Sequence, residues 1–129
     1  QETGRARTIN REKLQVEKLP AELNEPESFR ALIFFPYLHL IKIRKKQSAF
    51  HPNAGFEILQ SDPRIFGIKR FSPDQTIYAF TNISSQSVSI SLPAGTTGDP
   101  MVDLMTGTDI DTTAIRMNPY QYMWLAEPA

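Results

Sequence analysis

The sequence predicts a mainly β protein, an antiparallel Greek-key β-sandwich preceded by an N-terminal helical segment. Before residue 50, apolar residues recur at helical spacing. After residue 54, short stretches rich in β-branched and aromatic residues follow one another at intervals of about 8 to 15 residues, with turn residues between them. Strand-like stretches do not alternate with helical ones there, so a parallel sheet is not expected.

The composition indicates one domain without a strong electrostatic preference. A chain of 129 residues can bury a core, and its fourteen basic and fourteen acidic residues balance. The absence of cysteine excludes disulfides and thiolate metal sites, and no apolar run reaches the roughly 18 residues of a membrane span. We expect a cytoplasmic protein that uses no cofactor and binds neither nucleic acid nor membrane. Its start at Gln1, without a leader, is expected of a piece of a longer gene product.

The main helix is predicted to begin at Asn24 and to end near Gln47. Asn24 can cap the first turn, Pro26 is tolerated there, and Glu27 completes a capping box. An apolar stripe at helical spacing follows, made of Phe29, Leu32, Ile33, Tyr37, Leu40 and Ile41. Pro36 predicts a kink, because it removes a hydrogen bond from the helix interior.

The same helix is apolar on other faces as well. Phe34, Phe35, Leu38 and Ile43 point away from the first stripe. A helix that is apolar on several faces is normally buried on several faces. If its partner is missing, we expect the chain to associate with itself through Phe34, Phe35 and Leu38, since large exposed apolar patches drive association.

The segment KIRKKQSAFHPNAGFEIL, residues 42–59, changes from a basic helix end to a strand. Its cations suit the negative end of the helix dipole, and Pro52 ends the helix because it keeps His51 out of the helical conformation. The cations and His51 could instead form a phosphate or sugar site. We favour a boundary, at which Phe50 pins the sandwich against the helix end and His51 forms a hydrogen bond.

Seven strands are predicted after this boundary, and residues 72–75 form a hairpin loop between the second and third. They are residues 55–61, 64–71, 76–83, 86–93, 101–107, 113–118 and 120–126. In the fourth, Val88, Ile90 and Leu92 alternate with serines, which is typical of a strand with one buried face.

The sequence shows no catalytic or metal-binding pattern. His39 and His51 lack carboxylate partners at metal-ligand spacing. Glycoside hydrolysis needs two carboxylates, and the acidic residues that cluster in sequence are interpreted as solvated turn residues. These are Asp99, Asp103, Asp109 and Asp111. Asn82 begins a glycosylation sequon but is interpreted as a strand end.

The last strand carries an aromatic face formed by Tyr120, Tyr122 and Trp124. Such a face could stack on sugars in a carbohydrate-binding module, but burial in the core is the favoured interpretation. Met123 and Leu125 point to the opposite face.

Several stretches, taken in order, resemble one family. They are GRARTINR (4–11), EPESFRALIFFPYLHLIKIRKKQSAFHPNA (25–54), FTNIS (80–84), VDLMTG (102–107) and NPYQYMWL (118–125). Together they resemble the C-terminal end of the sucrose phosphorylase-like enzymes of glycoside hydrolase family 13, the α-amylase superfamily. The resemblance implies that residues 1–49 are the loop and terminal helices of a truncated (β/α)8 barrel. Residues 50–129 would be the β-sandwich called domain C.

The resemblance also implies a function for the parent enzyme. Such an enzyme is a retaining transglycosidase of carbohydrate metabolism, with a nucleophilic Asp and an acid/base Glu, both upstream of Gln1. Arg7, Asn10 and Arg11 match a loop near the acceptor subsite, where they are candidate substrate contacts or loop anchors.

Three hypotheses remain for the chain itself. In the first, it is a non-catalytic C-terminal portion whose partner is the missing barrel and whose parent binds a sugar substrate. The alternatives are a stand-alone carbohydrate-binding sandwich that uses Tyr120, Tyr122 and Trp124, and a structural module unrelated to sugars.

Overall fold

The computed structural model describes residues 14–96 and 100–127. These residues form two compact units that divide between His39 and Leu40. The first unit contains helix α1, Leu19–Asn24, and most of helix α2, Phe29–Arg44. The second contains the end of α2, a 3-10 helix at Ser48–Phe50 and the β-strands. Within the described ranges, no helix is long and apolar enough to cross a membrane.

Helix α2 begins at Phe29, so the expected start at Asn24 is wrong. Ser28 caps the helix instead, because its Oγ accepts a hydrogen bond from the backbone N–H of Ala31 at 3.1 Å. Asn24 is the last residue of α1. The helix continues through Pro36 and ends at Arg44, close to the expected end.

Eight strands are present in the described part of the chain, and their pairing is antiparallel throughout. Six form one sheet in the order β1-β2-β3-β8-β5-β6, and β4 pairs with β7 in a second sheet. The strands are β1 Gly55–Leu59, β2 Ile65–Ser72, β3 Gln75–Asn82, β4 Val88–Ile90, β5 Met101–Asp103, β6 Thr108–Ile110, β7 Ile115–Met117 and β8 Tyr122–Ala126. The predicted antiparallel sandwich with an N-terminal helical segment is confirmed.

Strand β6 was not predicted. Its residues Thr108 to Ile110 lie among threonines, glycines and aspartates, which favour turns. Gly107 has a φ of 73°, in the left-handed region that glycine adopts without strain, and so closes a hairpin between β5 and β6. The predicted strand 101–107 therefore ends at Asp103.

The main core lies between the two sheets. Tyr78 and Phe80 of β3 and Met123 and Leu125 of β8 project from the larger sheet into it. Val88 and Ile90 of the smaller sheet, with Ile115 and Met117, face them. Ser89, which lies between Val88 and Ile90, is exposed, so the predicted alternation in β4 is confirmed.

Asn82, the last residue of β3, is buried and fully hydrogen-bonded. Its Nδ2 donates to the backbone oxygens of Gln86 at 2.6 Å and Asn118 at 2.9 Å. Its Oδ1 accepts hydrogen bonds from the backbone N–H and hydroxyl of Ser84. With 1 % of its surface exposed, Asn82 is inaccessible to a glycan in the folded protein, and the strand-end interpretation is confirmed.

Asp103 is also buried, so its interpretation as a solvated turn residue is wrong. Its carboxylate accepts hydrogen bonds from the backbone N–H groups of Trp124 at 3.1 Å and Met105 at 3.2 Å, and from the Thr106 hydroxyl at 3.0 Å. Asp103 lies at the end of β5, where it satisfies the backbone of the following turn and of β8. Asp109 and Asp111 are exposed, as expected.

The turn before β2 predicts a pH dependence of stability. Hydrogen bonds from the Arg64 side chain, then from its backbone, lower the pKa of Asp62 from 3.8 to about 2. Because the folded-state pKa lies below the ordinary value, this contribution is complete above pH 3.8 and is lost as the pH falls through that range. We expect Asp62→Asn to make the urea-unfolding midpoint depend less on pH between pH 4 and 2. Asp109→Asn is expected to keep the pH dependence of the unsubstituted chain. Equal pH profiles for both variants would contradict the assignment.

Candidate functional site

Residues 47–54, which we call the junction segment, connect the end of α2 to β1. Gln75, the first residue of β3, holds this segment with both ends of its amide. Its Oε1 accepts a hydrogen bond from the Ala49 backbone N–H at 3.1 Å, and its Nε2 donates to the side chain of Gln47 at 2.6 Å. Ala49 is fully buried there. The junction segment is therefore fixed on the β2–β3 hairpin.

Arg70 of β2 holds the same segment from a second side. Its Nε donates to the backbone oxygen of Ala49 at 3.1 Å, and its Nη2 donates to that of His51 at 2.8 Å. Hydrogen bonds from a charged guanidinium are stronger than neutral ones, and its rigid fork fixes two carbonyl groups at once. The path of the backbone through the junction segment is thus set by one arginine and one glutamine.

Phe50 covers the outer face of the larger sheet. Its ring lies 4.6 Å from that of Trp124, and both belong to a second apolar cluster with Ala49, Ile77 and Ala126. The guanidinium of Arg44, the last residue of α2, lies 5.6 Å above the Phe50 ring. Phe50 therefore contacts both the sandwich and the helix end, which confirms its predicted role.

A cavity of about 690 Å³, which we call the junction cavity, opens beside this segment. Its walls come from the junction segment and from the turn between β2 and β3. The side chains that line it include Ser48, His51, Asn53, Phe71, Ser72 and Asp74. An aromatic ring, a carboxylate, an imidazole, an amide and hydroxyl groups thus share one concave surface.

Asp74 is the charged group of the junction cavity. Its Oδ1 accepts hydrogen bonds from the hydroxyls of Ser72 at 2.7 Å and Ser48 at 3.0 Å. These bonds, first that of Ser72 and then that of Ser48, hold the pKa of the Asp74 carboxyl below its ordinary value. The side chain therefore stays a carboxylate at neutral pH.

His51 presents a hydrogen-bond donor at the same cavity. Its Nδ1 accepts a hydrogen bond from the backbone N–H of Asn53 at 3.2 Å, so the ring proton is on Nε2. The expected hydrogen bond of His51 at the junction is confirmed.

Phe71 provides the aromatic wall, and Gly55 makes room for it. A Cβ on Gly55 would lie 2.4 Å from two atoms of the Phe71 ring, much closer than side chains approach. The ring can occupy this position because residue 55, the first of β1, has no side chain.

The basic end of α2 is exposed. Lys42, Arg44, Lys45 and Lys46 are all solvent-exposed, as the interpretation as a solvated helix end predicts. The last three line a separate shallow cavity of about 480 Å³, which shares Ser48 and His51 with the junction cavity.

The predicted aromatic face lies outside the main core. Tyr120 and Tyr122 are 67 % and 43 % exposed, so the expectation that they are buried is wrong. The pleat of β8 turns Met123 and Leu125 into the core and Tyr122 and Trp124 to the other side. Tyr120 precedes β8, in a turn where its φ is 55°. Trp124 is half-buried there by Phe50.

The other predicted site residues fall in different places. Arg7, Asn10 and Arg11 lie outside the described residues, as does Asp99. His39 is exposed on α2. In residues 14–96 and 100–127, no three His, Asp or Glu side chains are grouped as metal ligands.

Sequence reasoning did not single out Phe71, Asp74, Gln75 or Arg70. Their partners in the junction segment are far away in the sequence, so local patterns give no sign of these contacts. The one available signal was the Ser-Pro-Asp-Gln turn, since the β2–β3 hairpin brings its side chains beside the preceding segment.

The sandwich corresponds to a known sequence family. The profile of the family described as Maltogenic Amylase, C-terminal domain matches residues 56–124, more than half of the chain. The chain belongs to this maltogenic amylase C-terminal domain family. The predicted origin of the sandwich, the C-terminal part of an enzyme of glycoside hydrolase family 13, is thereby confirmed.

Similar proteins extend this result over nearly the whole chain. A glucosylglycerate phosphorylase of Spirochaeta thermophila is 32 % identical over 97 % of this chain and 24 % of its own length. One from Allomeiothermus silvanus is 31 % identical over 98 % of this chain and 21 % of its own. The chain thus spans about a quarter or less of these relatives.

A solved structure shares the fold. The α-amylase of Anoxybacillus superposes with a TM-score of 0.62 at 17 % identity, over 70 % of this chain and 21 % of that one. At this identity the likeness shows the architecture of this C-terminal domain family and no more.

The contacts of Phe50 predict its contribution to stability. We expect Phe50→Ala to lower the free energy of unfolding by about 2 kcal/mol, less than for a fully buried ring because Phe50 is only half-buried. Urea unfolding followed by Trp124 fluorescence measures the change. Phe56→Ala, which truncates a ring that is 60 % exposed, is the matched control. Equal losses in the two variants would show that the Phe50–Trp124 contact does not stabilise the fold.

Proposed function

We propose that this chain is the non-catalytic C-terminal portion of a glucosyl-transferring phosphorylase, and that it supports a catalytic (β/α)8 barrel. Membership of the maltogenic amylase C-terminal domain family supports the coarse assignment. The two relatives that align over nearly all of the chain are both named as phosphorylases. In this proposal residues 1–49 end the barrel and residues 50–129 form domain C.

We infer the supporting role from an exposed apolar surface of the sandwich. Phe56 and Ile58 of β1 and Phe66 of β2 are each at least half exposed, and we call these three residues the outer patch. The register places Phe56 opposite Arg70 and Ile58 opposite Ile68, so the outer patch lies on the face of the sheet that Phe50 covers further along. Three large apolar side chains on one sheet face indicate a surface that another domain covers.

Helix α2 offers further apolar surface. Its exposed large side chains are Phe29, Leu32, Ile33, Phe34, Phe35, Tyr37 and Ile41. Phe34 and Phe35 also contact each other edge to face, with ring centroids 5.3 Å apart. A helix with this much exposed apolar surface fits the end of a barrel whose neighbouring helices are supplied by another segment.

The names of the relatives favour glucosylglycerate over sucrose as the glucosyl donor of the parent enzyme. Phosphate would then accept the glucosyl group from a covalent intermediate on a barrel Asp, with a Glu as acid/base. Arg7, Asn10 and Arg11 are proposed to contact the acceptor.

A stand-alone carbohydrate-binding sandwich is the second candidate. The exposure of the neighbouring Tyr120 and Tyr122 favours it, although Trp124 is partly covered by Phe50.

The proposal predicts where the activity lies. The protein encoded by the complete gene is expected to cleave glucosylglycerate in a phosphate-dependent reaction, and the 129-residue chain is expected to cleave neither glucosylglycerate nor sucrose. Release of glucose 1-phosphate measures both reactions. Turnover by the 129-residue chain would overturn the non-catalytic assignment, and a complete protein that prefers sucrose would overturn the choice of donor.

A separate experiment tests whether the outer patch supports the barrel. Phe56→Ser combined with Phe66→Ser is expected to lower the melting temperature of the complete protein but to change that of the 129-residue chain little, because both rings are already exposed there. Ile83→Ser removes an apolar side chain of similar exposure outside the outer patch. An equal effect of the two changes on the complete protein would argue against a barrel on the outer patch.

The exposed helix predicts the behaviour of the chain alone. We expect the 129-residue chain to self-associate through Phe34, Phe35 and Leu38, so that sedimentation detects dimers or larger species at micromolar concentration. Phe34→Ser with Phe35→Ser is expected to shift the population to monomer, whereas Lys45→Ser, at an exposed polar position, does not. A clean monomer for the unsubstituted chain would contradict this prediction.

A further inference from the structure

We propose that the junction cavity binds a neutral hexopyranose, a six-membered-ring sugar such as glucose. The site consists only of residues of the sandwich and the junction segment, so it goes beyond the proposed function and does not depend on the barrel. Its volume of about 690 Å³ lies within the range of roughly 300 to 1,000 Å³ of small-molecule sites.

The aromatic wall suits one face of such a ring. Phe71 is half-buried and lines the cavity, held in place by the room that Gly55 leaves and by the ammonium of Lys69, 5.3 Å from the ring centroid. A hexopyranose has an apolar face of C–H groups, and placing that face on an aromatic ring removes apolar surface from water on both partners.

The cavity lining is mostly apolar, and its few polar groups suit the hydroxyl groups. A carboxylate has about four acceptor positions, and those of Asp74 are used by the hydroxyls of Ser48 and Ser72 and by its own backbone N–H. The position that remains can accept a charge-assisted hydrogen bond from a sugar hydroxyl. Whereas Asp74 only accepts hydrogen bonds, His51 offers the donor Nε2–H, and the Asn53 amide offers both a donor and an acceptor. Sugar hydroxyls, which donate and accept, match this mixture.

The distribution of charge argues for a neutral sugar. Asp74 lies in the wall of the junction cavity itself, where it would repel a phosphate or carboxylate on the ligand. The cations Arg44, Lys45 and Lys46 line the neighbouring shallow cavity instead.

The test is saturation-transfer NMR with glucose as the probe and the 129-residue chain as the receptor, since this method tolerates self-association. We expect saturable transfer with a dissociation constant on the order of millimolar. Phe71→Ala and Asp74→Asn should each weaken binding about tenfold, through lost stacking and a lost charged acceptor respectively. Phe66→Ala, on the same strand but outside the cavity, should bind like the unsubstituted chain.

A second variant tests the role of the Phe71 ring independently, in case Phe71→Ala does not fold. Gly55→Ala keeps Phe71 but displaces its ring, because the new methyl would lie 2.4 Å from it. We expect this variant also to weaken glucose binding, while its far-UV circular dichroism and a cooperative urea transition show that the chain is still folded.

Three results would overturn the proposal. The first is the absence of saturable transfer to glucose, and the second is equal binding by Phe71→Ala and Phe66→Ala. The third is tighter binding of glucose 1-phosphate than of glucose with a loss in Lys45→Ala, which would assign recognition to the basic cavity. None of these results bears on whether the complete protein has phosphorylase activity, so the two proposals can fail separately.

Discussion

The hold of the β2–β3 hairpin on the junction segment is the constraint on which the second unit depends. Arg70 and Gln75 hold this segment with three hydrogen bonds, two to the backbone of Ala49 and one to the carbonyl of His51. Ala49 packs with Ile77 and Ala126 and is fully buried there. This placement positions Phe50 over Trp124 on one side. On the other side it brings Ser48 to Asp74, and both line the junction cavity. One set of hydrogen bonds thus positions both the Phe50–Trp124 contact and one wall of the junction cavity.

The two faces of the larger sheet have different surroundings. The inner face is closed by the smaller sheet and holds the main core around Phe80 and Leu125. The outer face is covered at one end by Phe50 and carries the outer patch at the other. The sandwich of this chain therefore closes its core while large apolar residues stay exposed on the other face of the same sheet. Core and outer patch project from alternate residues of the same strands.

Sequence patterns predicted those elements whose signals are local. The alternation of Val88 and Ile90 and the turn at residues 72–75 follow from near neighbours, and both were predicted correctly. Errors arose where two local signals competed, as with Ser28 and Asn24 for the helix cap. The hydrogen bonds of Asp103 with Trp124, of Ser48 with Asp74 and of Ala49 with Gln75 join residues more than twenty positions apart, and no periodicity encodes them.

The buried amide of Asn82 has a consequence for how the protein can be made. Asn82-Ile83-Ser84 matches the acceptor of N-linked glycosylation, but in the folded protein this amide donates to two carbonyls and has no access to solvent. In a secretory host the chain would meet the glycosylating machinery before it folds. A glycan attached there would occupy the nitrogen that bonds the carbonyls of Gln86 and Asn118. Such a chain could not complete its fold, so a bacterial cytoplasm is the suitable place for production.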